Sequence, residues 1–360
     1  MVPANPYISS LVPYKPGKPI EETAREIGMQ PEDIVKLASN ENPLGPSPLA
    51  VRAMQNTSWE SNLYPDGSAF TCRQRIASFH DVAMEQVVTV AGSSELLLLL
   101  SLVFLGPGTH AIAADHSFAL YKILSQTVNG GYVSIPNKPD FSSDLQATLR
   151  AITPETRLVY IANPTNPLGT MVHQQELDDF MAAVPDHVVV VFDEAYIQYA
   201  DDQPDTLKYL EQGKNVVVSR TFSKVYGLAG LRVGYAITTP RIAAYLNRTR
   251  SPFNVSSIAQ AAATAALNDS HHLQRTVSLN RAGRQFFEQQ FQARGIPYSP
   301  SNTNFILVKI GNGLDCFNKC LAQGVILRPM AAYGLPEYIR ITIGTQEQNE
   351  RCIKALFEED

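Results

Sequence analysis

The chain has 360 residues, of which 44 % are hydrophobic, 18 % charged and 9 % aromatic. That is enough apolar material for about two domains with a sizeable core, and it excludes disordered, collagen-like and coiled-coil chains. Twenty-nine Lys and Arg against 34 Asp and Glu give a net charge of −5 with no basic block, which removes the electrostatic footprint of a nucleic-acid or anionic-membrane binder and leaves small molecules or copies of the chain itself as partners.

Taken in chain order, residues 1–19 lack the basic start and apolar stretch of a secretory signal. The longest apolar run, 96–105, is broken by Ser101 and falls well short of the ~20 residues that span a bilayer, so a soluble, cytoplasmic protein is expected. Pro13, Pro16, Pro19, Pro31, Pro43, Pro46 and Pro48 mark an extended N-terminal arm with one short helix at 20–27. From about residue 86, β-branched runs at 87–91, 110–114, 131–135, 157–162, 187–192 and 215–220 alternate with helical patterns at 94–105, 118–128, 144–152 and 174–184. Runs such as 188–192 are apolar at every position, as a strand covered on both faces must be. The alternation predicts an α/β fold with a mainly parallel sheet sandwiched by helices. After a last run at 235–238 the order changes. Helices are expected at 241–249, 256–268, 271–294, 314–323 and from 345, with strands at 304–308 and 338–343. This suggests a smaller α+β C-terminal domain. The expected division is an arm at 1–44, packing on the small domain or a dimer partner, a large domain at 45–240 and a small domain at 241–360. The four cysteines, Cys72, Cys316, Cys320 and Cys352, are too few for a disulfide scaffold. Cys316 and Cys320 lie four apart without a second pair or a flanking His, and read as reduced thiols rather than metal ligands.

In open parallel sheets ligands sit beyond the C-terminal ends of the strands, so the residues ending each run carry the most information. Gly92, Ser93, Ser94 and Glu95 follow the first run and open a helix; they suit either a phosphate at the helix N-terminus or an ordinary N-cap. Asn163-Pro164-Thr165-Asn166-Pro167 is at the least a rigid turn. Asp193, Glu194 and Tyr196 end a fully apolar strand, where a carboxylate is costly without a partner or water. Thr221, Phe222, Ser223 and Lys224 end the next, and Lys224 is either a solvated loop residue or an imine-forming amine with anion-holding hydroxyls beside it. Arg232 sits alone among apolar and glycine neighbours, a setting that calls for an anionic partner. No Walker A or dinucleotide glycine fingerprint follows any strand. Phosphate cradle, amide, carboxylate, phenol, lysine and arginine at successive strand ends form the set that pyridoxal phosphate needs.

The segments NPTNPLG, DEAY, TFSK and LAGLRVGY, in this order and at these intervals, resemble the fold type I pyridoxal-phosphate-dependent aminotransferases. LVPYKPGKP, LASNENPLGPSP, YPDG, ILRPM and YIRITIGT narrow the resemblance to the histidinol-phosphate aminotransferase family over nearly the whole chain. The resemblance implies that Lys224 is the Schiff-base lysine and proton shuttle, that Asp193 pairs with the pyridine nitrogen, and that Asn166 and Tyr196 bond the ring hydroxyl. It assigns the phosphate to Ser93, Ser94, Thr221, Ser223 and Arg232, with Tyr64 contributed by the neighbouring subunit of a homodimer. Phe118 falls where the family stacks an aromatic on the ring, although Asp115-His116 stand where many members have a proline. Tyr14, Asn42, Arg328 and Arg340 are the implied substrate residues. The implied reaction is transamination of histidinol phosphate with 2-oxoglutarate, giving imidazole-acetol phosphate and glutamate in histidine biosynthesis. An aromatic amino-acid aminotransferase and a threonine-phosphate decarboxylase on the same fold are the alternatives.

Overall fold

The computed structural model describes residues 2, 4–14 and 17–358; Lys15 and Pro16 of the arm motif lie outside the described residues. The strands are β1 (Val35–Lys36), β2 (Val87–Val90), β3 (His110–Ala114), β4 (Gly131–Ile135), β5 (Thr156–Ala162), β6 (Val189–Asp193), β7 (Val216–Thr221), β8 (Gly234–Thr238), β9 (Tyr298–Ser299), β10 (Phe305–Lys309), β11 (Val325–Ile326), β12 (Arg328–Pro329) and β13 (Tyr338–Thr342). Seven of them form the main sheet in the order β2-β8-β7-β6-β5-β3-β4. Only β8 runs against the rest. The mainly parallel sheet read from the alternation is therefore the sheet that forms.

The apolar runs at consecutive positions have the cause inferred for them. Along β6, Val190 and Phe192 point into one core cluster while Val189 and Val191 point into another. In β7, Val216 and Val218 face the first and Val217 the second. Side chains alternate across a strand, so a sheet buried on both faces must be apolar at every position. The helix Ser93–Phe104 covers one face through Leu96, Leu97, Leu99 and Leu100. The helices Phe70–His80 and Gln174–Ala183 cover the other through Ile76, Leu177 and Phe180.

A second sheet, β12-β13-β10-β9, is antiparallel and carries its own core of Phe287, Phe291, Ile306, Val308, Ile339 and Ile341. The helices Pro240–Thr249 and Ser257–Ala266 lie after residue 240, yet their apolar faces belong to the two clusters of the main sheet. Pro240 thus ends the main sheet without ending its packing, and the core of the second sheet begins within the helix Ser270–Ala293.

The arm contains the helix Ile20–Ile27 at the expected place. Ala24 and Ala38 pack on Ile326, and β1 pairs in parallel with β11, so this part of the arm is bound to the smaller unit. Among the described residues no helix is long and apolar enough to cross a membrane.

Candidate active site

The C-terminal ends of β2, β3, β5, β6 and β7 open on one edge of the main sheet. A cavity of about 300 Å³ lies there, closed on the far side by the arm and by β12 and β13. Thirteen of the fifteen residues singled out from the sequence line it; Asn42 and Tyr64 do not.

Asp193, the last residue of β6, is 6 % exposed. Its Oδ2 accepts a hydrogen bond from the Tyr121 hydroxyl at 2.7 Å and its Oδ1 one from the Ala195 amide at 3.3 Å. Burial pushes the carboxyl above its ordinary range, against the pull of the Tyr121 bond. Such a carboxylate favours a cationic ligand atom beside it. Lys224 lies three residues beyond β7. Burial, aided by the Arg340 charge, lowers its amine to about 8. Its Nζ donates to the Ser39 carbonyl at 3.3 Å and sits 5.6 Å over the Tyr196 ring. An amine so depressed is a nucleophile near neutral pH. The Tyr196 hydroxyl accepts from Asn40 Nδ2 at 2.9 Å.

The anion cradle stands at the other end of the cavity. Arg232 adopts a left-handed backbone (φ +53°). Its Nη1 donates to Ser223 Oγ at 3.3 Å and to the Ala229 carbonyl at 3.0 Å. The guanidinium crosses the N-terminus of the helix Ser93–Phe104 so closely that a Cβ on Gly92 would come within 2.4 Å of Nη2. Gly92 also has φ +81°, so glycine serves both the turn and the approach. Helix N-terminus, guanidinium and the hydroxyls of Ser94 and Ser223 together form a seat for a phosphate.

A second cationic group faces the arm. Arg340, in the centre of β13, is 6 % exposed. Its Nη1 donates to Asn166 Oδ1 at 2.6 Å and its Nη2 to the Ala38 carbonyl at 2.9 Å. Among the described residues its buried Nε has no hydrogen-bond partner and no carboxylate lies within salt-bridge distance. Arg328 of β12 is its register partner across the antiparallel pair. Like charges directly opposite on a sheet destabilise it, and an anion of two negative charges between them removes that cost. Tyr14, 44 % exposed, meets Phe118 edge to face with the ring centroids 6.2 Å apart.

Among the lining residues that the sequence reading did not single out, Tyr121, Ser39 and Asn40 bring polar side chains. Tyr121 stacks on Tyr160 at 4.5 Å and meets Phe118 edge-on at 5.9 Å. It lies three residues after Phe118, so helical spacing could have pointed to it. Asn42 is a correction. Its Nδ2 donates to the Val225 carbonyl at 2.9 Å and to Thr276 Oγ1 at 3.2 Å, behind the loop that carries Lys224 and outside the cavity. Asn40, two residues earlier in the same motif and at φ +55°, is the asparagine that lines it. Tyr64 is 83 % exposed and stacks on Phe253 at 4.7 Å, outside this chain's own cavity.

A buried carboxylate, a depressed lysine and a phosphate seat at three sides of one cavity fit pyridoxal phosphate, and the unpartnered Nε of Arg340 leaves a further anion to be bound. Comparison with known proteins agrees. The family model for aminotransferase class I and II matches residues 32–356. A histidinol-phosphate aminotransferase of Akkermansia muciniphila is 54 % identical over 355 residues, covering 99 % of this chain and 98 % of that one. A histidinol-phosphate aminotransferase 2 of Pseudomonas fluorescens is 48 % identical over 98 % of this chain and 96 % of its own. The crystal structure of histidinol-phosphate aminotransferase from Sinorhizobium meliloti in complex with pyridoxal-5'-phosphate superposes with a TM-score of 0.89 at 28 % identity, over 98 % of this chain and 96 % of that one. A Thermus thermophilus aspartate aminotransferase shares the fold, with a TM-score of 0.84 at 18 % identity over 99 % of both chains. Motifs, cavity and sequence relatives converge, and the chain belongs to the class I and II aminotransferase family.

Proposed function

We propose that the protein transfers the amino group of histidinol phosphate to 2-oxoglutarate, forming imidazole-acetol phosphate and glutamate in histidine biosynthesis, as a cytoplasmic homodimer with pyridoxal phosphate held by Lys224. One observation carries the substrate choice: Arg328 and Arg340 stand opposite each other in the β12–β13 pair that walls the cavity on the side away from the main sheet. A single carboxylate satisfies one guanidinium, whereas a phosphate dianion suits two forks. In the second half-reaction the carboxylate on the amino-bearing carbon of glutamate would take the place of the phosphate at the same pair, so both half-reactions would use one anion site. The names of the relatives at 48–54 % identity support the same substrate.

Pyridoxal phosphate, when bound, supplies an electron-withdrawing ring that stabilises negative charge at the substrate carbon. Asp193, held by Tyr121, keeps a proton on the ring nitrogen. Tyr196, oriented by Asn40, faces the ring hydroxyl together with Asn166. Ser93, Ser94, Thr221, Ser223 and Arg232 hold the phosphate, and Tyr64 of a second copy completes that seat. Phe118 would pack against the cofactor ring. Lys224, with its amine lowered to about 8, would hold the cofactor's aldehyde and is placed to carry a proton from the substrate carbon to the cofactor. Passing the amino group through the cofactor in two halves would give a double-displacement pattern.

The test is turnover of histidinol phosphate and of phenylalanine, each with 2-oxoglutarate. Glutamate formation with a kcat/KM for histidinol phosphate well above that for phenylalanine is expected. A reversed preference makes the protein an aromatic aminotransferase. Carbon dioxide release from threonine phosphate without any need for 2-oxoglutarate makes it a decarboxylase.

A further inference from the structure

Asp115 and His116, just beyond β3, have a structural role in this chain. His116 follows β3, and its ring Nδ1 lies 2.8 Å from the Tyr333 carbonyl, which belongs to the smaller unit. A carbonyl can only accept, so Nδ1 carries the proton. The imidazole is braced on its own side. The His116 amide donates to Asn137 Oδ1 at 3.1 Å, the Asn137 amide donates to the Phe141 carbonyl at 3.2 Å, and the Phe141 ring meets His116 edge-on at 6.4 Å. Asp115 accepts a hydrogen bond from Ser134 of β4.

The acceptor is equally well defined. Tyr333 sits in a tight turn in which its amide and that of Leu335 both donate to the Met330 carbonyl, at 2.9 and 3.2 Å. Met330 and Leu335 pack on Leu168 and Leu307. This turn directly joins β12, with Arg328, to β13, with Arg340. The Tyr333 phenol is half-buried and lies within electrostatic reach of Arg340, Tyr14 and Arg328, so the turn backs the anion site.

We propose that His116 is a positioning residue for the anionic end of the substrate: by holding the Tyr333 carbonyl from the main-sheet side it fixes the turn that sets Arg328 and Tyr333 against Arg340. The proposal rests on the histidinol-phosphate reading for the identity of the anion but not for the tether itself. A single neutral hydrogen bond is at stake, so the effect on binding is about three- to tenfold.

The experiment compares the wild-type holoenzyme with His116→Ala and His116→Asn. Asparagine places its Nδ2 where histidine has Nδ1 and keeps a donor for the carbonyl. In His116→Ala, amide hydrogen exchange of residues 330–335 accelerates and KM for histidinol phosphate rises about three- to tenfold, while kcat changes less than twofold. His116→Asn restores both. Unchanged exchange in His116→Ala overturns the tether, and so does failure of His116→Asn to slow it again. Faster exchange with an unchanged KM overturns the link to the substrate. A wild-type enzyme that does not turn over histidinol phosphate at all removes the functional reading instead, and then the exchange data alone decide whether the tether stands.

Discussion

Lys224 is the residue on which the proposed chemistry turns, and its surroundings set a measurable pH. Burial and the Arg340 charge bring the amine down to about 8, against roughly 10.4 for a free lysine. Only the neutral amine attacks an aldehyde. The rate at which cofactor-free protein captures pyridoxal phosphate, followed by absorbance, is therefore expected to rise about fivefold from pH 7 to 8 and to level off near pH 9. A rate still climbing at pH 10 would mean an unperturbed lysine, and Lys224→Ala should show neither capture nor transamination. At the anion site, Arg328→Ala and Arg340→Ala each remove a charge-assisted fork worth roughly 1.5–3 kcal/mol, an increase of about ten- to 150-fold in KM for histidinol phosphate. An unchanged KM in Arg328→Ala rejects its assignment. Asp193 and Lys224 were legible because a charge at or just beyond the end of an apolar run conflicts with its setting, whereas Arg328 and Arg340 were named through the family resemblance. Tyr121 was not legible, since a buried phenol between helix and sheet reads as core. Choosing Asn40 over Asn42 required the structure: their side chains are identical, and only their hydrogen bonds, Asn40 to Tyr196 in the cavity and Asn42 to Val225 and Thr276 behind it, tell them apart.

At the scale of elements, the main sheet could be read because burial on both faces leaves an uninterrupted apolar signature in β5, β6 and β7. The helices Pro48–Thr57 and Phe70–His80 could not. Ser47 caps the first by accepting from the Ala50 amide at 3.0 Å, but it sits in a proline-rich stretch that reads as extended. The second opens at Ala69 with φ +48° and no side-chain cap, and interleaves Arg73, Gln74 and Arg75 with its buried Cys72, Ile76 and Ala77. The same helix carries a titration. His80 ends it with Nε2 2.8 Å from the Tyr235 hydroxyl, and burial, with Arg220 nearby, lowers its imidazole to about 3. The unfolded chain protonates this histidine near pH 6.5. Between pH 6.5 and 3 the unfolded state therefore binds more protons, and the contribution of His80 to stability falls as the pH falls, by up to about 1.4 kcal/mol per pH unit. Thermal melts of wild type and His80→Gln, which keeps a hydrogen-bonding group at similar reach, should diverge over that window, with the wild type losing Tm more steeply below pH 6. Parallel slopes would show that His80 is not held neutral.

For the molecule as a whole, the arm is the piece that joins the two packing units around the cavity. Arg340 donates to Ala38, Lys224 donates to Ser39, and Asn304 donates to Asn40, so three consecutive residues of the arm tie both units to the chemistry. What remains outside is an exposed aromatic group: Trp59 is 89 % exposed, Tyr64 stacks on Phe253, and Leu63 lies between them in sequence. Exposed apolar side chains of this kind suit an interaction surface, and the second copy of the proposed dimer, seated there, would account for a Tyr64 that its own cavity does not use. Subunit mixing tests this. Tyr64→Ala should weaken cofactor binding, and Lys224→Ala should be inactive. In a hybrid of the two variants, the subunit that keeps Lys224 receives an intact Tyr64 from its partner. Random exchange makes half of the dimers hybrid with one working site each, so about a quarter of wild-type activity should return at a cofactor concentration that saturates wild type but not Tyr64→Ala. If Tyr64 serves its own chain, or none, the mixture gives no more than the sum of the separate variants.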